Sequence, residues 1–395
     1  MLNAKNILIV NAGSSSIKLD VFEVTDRLIQ LMEVSVEKIG WSKPNLVIKN
    51  FTTTERTSKP VEASDHTAAT SLLMDCIGQQ IHPEKLLAIG HRIVHGGPKY
   101  SQAQLITKDV LNELDKLIAF DPEHLPIEIE LIEAFDRTFS GVTQVASFDT
   151  AFHHDMPRVA SMIAIPRRYE TQGVRRYGFH GLSYTFLLQE LAHQAGVDKA
   201  SGRVVLAHLG NGASLAAVRE GKSIDTSMGF TPSGGIPMST RSGDLDPGLA
   251  LYLTQSQGVD EFNNMVNFRS GLLGMSETSS DMEKLLEIED TDPRAAEAIA
   301  LFCYQVKKYI GSYAAALGGL DTLVFAGGIG ENAPKIRARI CADLDFLGIL
   351  VEESRNADNA DLISSDSSRV AVRVIPTNEA MTIANDVFLI LEKKS

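Results

Sequence analysis

The sequence predicts an α/β protein in which one two-layer unit occurs twice. Three observations carry that prediction. Strand and helix patterns alternate along the chain. A strand–turn–strand unit with a small-residue turn opens it, and a second unit of the same order restarts it at mid-chain. In the first unit, residues 7–10 (ILIV) form a short apolar strand. Asn11-Ala12-Gly13-Ser14-Ser15-Ser16 is too small and polar to pack a core, and Lys18 follows in an alternating strand. Such a turn offers backbone N–H groups, hydroxyls and one cation, the set that phosphate oxygens require. The second unit runs Leu206-Ala207-His208 into Leu209-Gly210-Asn211-Gly212-Ala213-Ser214. The register that sets Gly13 against Gly210 also sets Val21 against Val218 and Glu23 against Glu220. Two phosphate turns, one per half, predict a nucleotide held in a cleft between two related domains.

The remaining elements follow in order. A strand over 86–89 leads into HRIVHGG, 91–97. Thr107 is a helix cap, and Val110, Leu111, Leu114, Leu117 and Ile118 repeat behind it at helical spacing. A strand over 142–148 ends in Asp149-Thr150. Residues 229–247 are rich in Gly, Pro, Ser and Thr without periodicity, a long loop of the kind that carries function. Asp292-Pro293 starts a helix, with Asp as cap and Pro at its first position, and Gly318-Gly319 stops it. A strand over 322–326 precedes the turn Gly327-Gly328-Ile329-Gly330-Glu331-Asn332 and a further helix. The last helix begins near Thr377, and 364–368 (SSDSS) reads as an exposed turn.

Bulk properties exclude several classes. The 395 residues suffice for two or three cores. A net charge of −13 disfavours nucleic acid, whose backbone requires a basic face. Cys76, Cys303 and Cys341 are too few and scattered for a disulfide framework or a zinc site, which suits a reducing cytoplasm. Residues 1–11 carry no signal-peptide pattern, and no run has the length of a membrane span.

Several residues have the chemistry of a site. Arg92 precedes glycines at a strand end; a surface ion pair is its rival reading. Arg241 lies among small residues in the long loop, where a planar fork suits carboxylate or phosphate. Asp149 follows an apolar strand at the edge where α/β proteins place chemistry, or simply initiates a turn. His180 sits between Phe179 and Gly181, where a lone histidine is more often structural than functional. His153 and His154 lack partners at metal-ligand spacing. Gly328-x-Gly330-x-x-Ala333 fits a dinucleotide fingerprint, with Glu352 and Glu353 downstream, so a nicotinamide-dependent oxidoreductase is the rival from another class. That rival leaves both phosphate turns unexplained. A non-catalytic ATP-driven switch is a third reading, disfavoured because it needs no second anion site. Gly221-Lys222-Ser223 lacks the first glycine of a P-loop.

Taken together, NAGSSSIK (11–18), HRIVHGG (91–97), FDTAFH (148–153), YGFHG (177–181), HLGNGAS (208–214), DTSMGFTP (225–232), TRSGDLDPG (240–248), GGIGEN (327–332) and PTNEA (376–380) resemble the acetate and propionate kinases, nearly end to end. The resemblance implies the duplicated fold shared with actin, hexokinase and heat-shock chaperone ATPases, with the active site in the interdomain cleft. It implies domains 1–150 plus 380–395 and 151–379, and a homodimer formed through the second. It assigns magnesium (or manganese) to Asn11 and Glu379. ATP or ADP would be lined by Lys18, His208, Leu209, Gly210, Asn211, Gly212, Asp281, Met282, Glu283, Gly328, Ile329, Gly330, Glu331 and Asn332. Arg92 would hold the substrate carboxylate, with Val94, His124, Phe179 and Pro232 also touching substrate. Asp149, His180 and Arg241 would be catalytic. The implied reaction is transfer of the γ-phosphoryl of ATP to acetate, giving acetyl phosphate and ADP; propionate is the alternative acceptor. A carboxylic acid is already ionised at neutral pH, its pKa being about 4–5. Asp149 is therefore expected to orient Arg241 or magnesium rather than accept a proton. One departure bears on specificity: where the family reads APLHNP this chain reads FDPEHLP, which sets Glu123 against an apolar wall position.

Overall fold

The computed structural model describes residues 5–13, 16–40, 43–80 and 83–393. Ser14 and Ser15 of the first phosphate turn lie outside the described residues. The chain divides into two compact units, Met1–Ala151 with Asn378–Ser395, and Phe152–Thr377.

Among the described residues the first unit has eight strands: β1 (Lys5–Ala12), β2 (Ser16–Val24), β3 (Leu28–Glu37), β4 (Asn45–Asn50), β5 (Arg56–Pro60), β6 (Leu86–Ile93), β7 (Gln104–Leu105) and β8 (Thr143–Phe148). They form one sheet in the order β5-β4-β3-β2-β1-β6-β8-β7. From β1 to β5 neighbours run antiparallel, whereas β1, β6 and β8 run parallel. The ILIV run of β1 is buried on both faces, as a continuous apolar strand requires. Leu8 and Val10 join a core with Leu73 and Ile77 of the helix His66–Gln80 and with Leu131 and Phe135 of the helix Leu125–Thr138.

The helix Glu379–Glu392 covers the opposite face. At Gly90 of β6 a Cβ would stand 2.6 Å from Ile383 Cγ2, 2.7 Å from Val387 Cγ2 and 3.0 Å from Ile9 Cδ1. The helix therefore rests directly on the sheet, and this contact fixes where Glu379 stands. Gly90→Val should overpack that contact. The expected cost is about 1–3 kcal/mol, seen in calorimetry as a transition lowered by several degrees. An unchanged transition would show that the helix yields without cost.

In the second unit, β9 (Val204–Leu209), β10 (Ala213–Arg219), β11 (Lys222–Thr226), β12 (Thr322–Ala326) and β13 (Ala371–Val374) form a sheet ordered β11-β10-β9-β12-β13. Three antiparallel strands are again followed by two parallel ones. This repeats β3-β2-β1-β6-β8, so the duplication is a property of the fold. The register differs from the sequence expectation. Ala12 pairs with Ile17 across the first turn, and Leu209 pairs with Ala213 across the second, so the first turn has one residue more. Both hairpins carry a bulge in their pairing with the third strand, between Val21 and Phe22 and between Ala217 and Val218. Gly13 and Gly210 remain matched, but Val21 corresponds to Ala217. Matching Val21 with Val218 and Glu23 with Glu220 is one residue out, a slip that exchanges the faces of a strand.

Other expectations meet smaller corrections. Thr107 and Asp292 cap their helices through their side chains, accepting from the backbone N–H of Val110 and Arg294. The last helix, expected near Thr377, starts at Glu379 with Asn378 as its cap. Gly327–Asn332 is itself a short helix rather than an open turn, and Ser364 of the SSDSS segment is buried.

Candidate active site

In the first unit, the guanidinium of Arg92, the penultimate residue of β6, reaches the carboxylate of Asp149, which directly follows β8. Nη2 and Nε donate to Asp149 Oδ2 at 2.5 and 3.1 Å, and Nη1 donates to the Ala12 carbonyl at 2.9 Å. Asp149 is fully buried, and the Arg92 side chain is 13% exposed. Burial works against the charge of Arg92, but Asp149, Glu379 and Glu128 outweigh it and raise its pKa, so it stays protonated. Asp149 is thus paired with Arg92 through a single carboxylate oxygen.

At the end of β1 the Asn11 amide donates to Glu379 Oε2 at 3.0 Å. The two residues expected to hold the metal are therefore brought together. One carboxylate and one amide oxygen suit Mg2+, which keeps several waters and takes its other ligands from substrate phosphates. Lys18 on β2 lies 3.4 Å from Glu33, which Lys49 also meets at 2.8 Å. Burial works against the Lys18 charge; Glu33 and Asp20 raise its pKa, and it remains cationic. Val94 is buried, as the apolar-wall reading requires. His124 Nδ1 lies 2.8 Å from Asp121 Oδ1, and Glu123 is half-buried.

In the second unit, His180 takes a left-handed backbone, φ +59°, at the start of the helix Gly181–Ala195. Its Nδ1 lies 2.9 Å from Ser214 Oγ, and its ring stacks on His208 with centroids 4.3 Å apart. His208 Nδ1 in turn meets Ser183 Oγ at 2.8 Å. With Nδ1 engaged, Nε2 is the nitrogen on the side of the second phosphate turn. A Cβ on Gly212 would lie 3.2 Å from His180 Nε2 and 3.6 Å from Arg241 Nη1. Arg241 Nη1 also donates to the carbonyl of the buried Pro232 at 3.2 Å. His180, Gly212 and Arg241 therefore form one cluster. Phe179, beside it, is buried.

The two glycine turns of this unit run side by side, since a Cβ on Gly210 would stand 3.8 Å from Gly328 N. Gly328 has open space where its own Cβ would be. Asn211 accepts from Ser239 through its carbonyl at 3.1 Å, which ties the HLGNGAS turn to the long loop. Glu331 Oε1 accepts from Gly327 N at 2.8 Å and Thr377 N at 3.1 Å, and the Asn332 amide donates to the Gly328 carbonyl at 3.0 Å. Ile329 lies within the same short helix. Asp281 caps the helix Met282–Ile288 by accepting from Glu283 N at 3.0 Å; Met282 is buried and Glu283 exposed.

Three residues to which the sequence assigns no role support this arrangement. Arg337 is fully buried and donates at 2.9 Å to the carbonyls of both Gly330 and Glu331; burial pulls its pKa to about 10, still charged at neutral pH. His153, buried between Ser223 Oγ at 2.7 Å and the Phe179 carbonyl at 3.1 Å, is held neutral by burial, its pKa lowered to about 4. It braces the chain just before His180. Glu128 lies on the buried stripe Leu125, Glu128, Ile129, Ile132, Phe135, where an acid at helical spacing among apolar residues was the available signal.

The second unit thus sets glycine turns beside a histidine–arginine cluster, and the relatives of the chain place it among phosphotransferases that use a carboxyl group as acceptor. Residues 6–385 match the model of the acetokinase family, and the chain belongs to that family. It is 39% identical to an acetate kinase of Phocaeicola vulgatus, over 98% of this chain and 100% of the relative. It is 41% identical to a propionate kinase of Citrobacter rodentium, over 97% and 96%. Among solved structures, the acetate kinase of Porphyromonas gingivalis is similar at TM-score 0.86 and 36% identity, covering 98% of this chain and 100% of the other. The propionate kinase of Francisella tularensis is similar at TM-score 0.88 and 37% identity, covering 97% and 98%.

Proposed function

We propose that this protein transfers the γ-phosphoryl group of ATP to acetate, giving acetyl phosphate and ADP, and that it also runs the reverse reaction. The observation that carries this reading is the cluster of His180 Nε2 and Arg241 against Gly212, two donors on a glycine turn that a phosphate can approach. A carboxylate oxygen attacks the γ-phosphorus in line. The new O–P bond forms as the bond to the bridging oxygen breaks, and its electron pair leaves on ADP. No base is required, because the nucleophile is ionised at neutral pH. The obstacle is repulsion between two anions. Arg92 holds the carboxylate, and Asp149 orients Arg92. Arg241 and His180 oppose the charge on the transferring group, where fixed donors act most strongly. Asn11 and Glu379 would hold Mg2+, whose charge offsets that of the phosphates when bound. The glycine turns, with Arg337 behind the second, would receive the nucleotide.

Propionate is the second acceptor, since relatives of both names lie at similar identity. Family membership displaces the oxidoreductase reading of the Gly328–Ala333 segment. No helix among the described residues is long and apolar enough to cross a membrane. A cytoplasmic setting is supported by three free cysteines, two of them buried. A homodimer through the second unit is supported by Leu251, Tyr252 and Val259, large apolar side chains left exposed on the helices Pro247–Gln257 and Val259–Phe268. Hydroxamate capture with ATP and Mg2+ across two- to four-carbon acids should give acyl phosphate, with acetate best or equal to propionate. No product from any of them would overturn the reading.

A further inference from the structure

We infer that Glu128 is a positioning residue of the carboxylate site, a buried acid that holds the Val94 backbone and whose charge state sets how strongly Arg92 binds substrate. This rests on the reading of Arg92 as the carboxylate's partner. Glu128 is 2% exposed, and the Val94 N–H points at both of its oxygens, at 3.0 and 3.2 Å. It thereby fixes the segment that carries Arg92 and Val94.

The surroundings explain why its charge matters. Arg92 has five N–H donors. Two go to Asp149 and one to the Ala12 carbonyl, which leaves two for a carboxylate. Asp149, already paired, is one negative charge beside Arg92. Asp121, buried and bonded to His124, is a second negative group facing Glu128. From β6 only Arg92 faces it as a cation, since His91 is engaged with Gln144 and held neutral by burial. His95, on the segment after β6, accepts from the Gly97 N–H through Nδ1 at 2.9 Å and draws the Asp121 carboxyl downward. The packed helix Lys108–Leu117 buries Val110, Leu114 and Leu117, all apolar. Burial first, then Asp121 and Asp149, push the Glu128 carboxyl up to about 8, against the pull of Arg92 and the Val94 N–H. With Glu128 protonated, Asp149 and Glu379 are the carboxylates that act on the charge of Arg92. Above that range a further carboxylate would draw on the same guanidinium and repel an incoming anion.

The test is the pH dependence of acetate KM, followed by ADP release at saturating ATP and Mg2+. Acetate itself is ionised throughout. In the unaltered protein KM should rise on the order of tenfold between pH 7 and 9, as expected for one new charge near the site, with kcat moving less. In Glu128→Gln the rise should vanish. A flat KM in the unaltered protein, or a rise that persists in Glu128→Gln, overturns the inference. A second readout does not involve activity. An acid whose folded pKa exceeds its unfolded one loses stability as pH climbs through that window. Glu128→Gln should therefore gain thermal stability relative to the unaltered protein from pH 5 to 8; an unchanged difference counts against the inference. Glu128→Asn serves as a second neutral replacement. If neither neutral variant folds while Glu128→Asp does, the fold requires the anion and the inference fails. Failure of the functional reading would look different: no acyl phosphate at any pH.

Discussion

Arg241→Ala should lower kcat by about a hundredfold or more while the protein keeps its melting temperature. The loop that carries Arg241 is held by close backbone approaches that do not involve this side chain. A Cβ on Gly271, at φ +59°, would lie 2.1 Å from the Met238 carbonyl, and one on Gly243, at φ +73°, would lie 2.6 Å from the Gly235 carbonyl. These glycines lock the loop, so shortening Arg241 removes its fork and leaves the path of the chain. What is lost is a donor beside Gly212 and His180. Removing one donor aimed at developing charge costs about 3–4 kcal/mol, or 10²–10³ in rate. Arg241→Lys separates charge from geometry. It keeps the cation but not the planar fork, and should recover only part of the rate. Near-normal kcat in the alanine variant, at unchanged melting, would make Arg241 an ordinary loop arginine.

What the sequence made legible was local. Small-residue turns, the Thr107 and Asp292 caps and the glycine stop at Gly318 are written in adjacent residues, because their physics is settled within one turn of chain. Partnerships across the sheet were not legible. Asp149 reads from the sequence as an orienter of Arg241 or magnesium; that β6 and β8 run in parallel and bring Arg92 to it as well is visible only in three dimensions. His153 was a histidine without a ligand partner; it is a neutral brace whose acceptor, the Phe179 carbonyl, is visible only in three dimensions. The motif sets Glu123 against an apolar wall position, where it is half-buried; that the helix starting at Leu125 also buries Glu128 is not legible from the motif. The hairpin register slipped because one turn is a residue longer, and an identity count cannot detect that.

Arg92→Ala should both weaken carboxylate binding and destabilise the first unit, and the two effects can be separated. Removing Arg92 leaves Asp149, fully buried, without its guanidinium. Breaking a buried ion pair from one side typically costs about 3–5 kcal/mol, most of it the uncompensated charge. The single variant should therefore melt well below the unaltered protein, and its carboxylate KM should rise by on the order of a hundredfold, the scale of a lost charge-assisted contact. The double variant Arg92→Ala/Asp149→Asn removes the charge that Arg92 had offset. It should regain much of the lost stability, because contacting residues are strongly non-additive. It should regain none of the carboxylate affinity, because no cation has returned. If the double variant melts as low as the single one, the loss reflects packing around the Arg92 stem rather than a stranded charge. If KM recovers along with stability, Arg92 does not hold the substrate, and the carboxylate must be bound elsewhere.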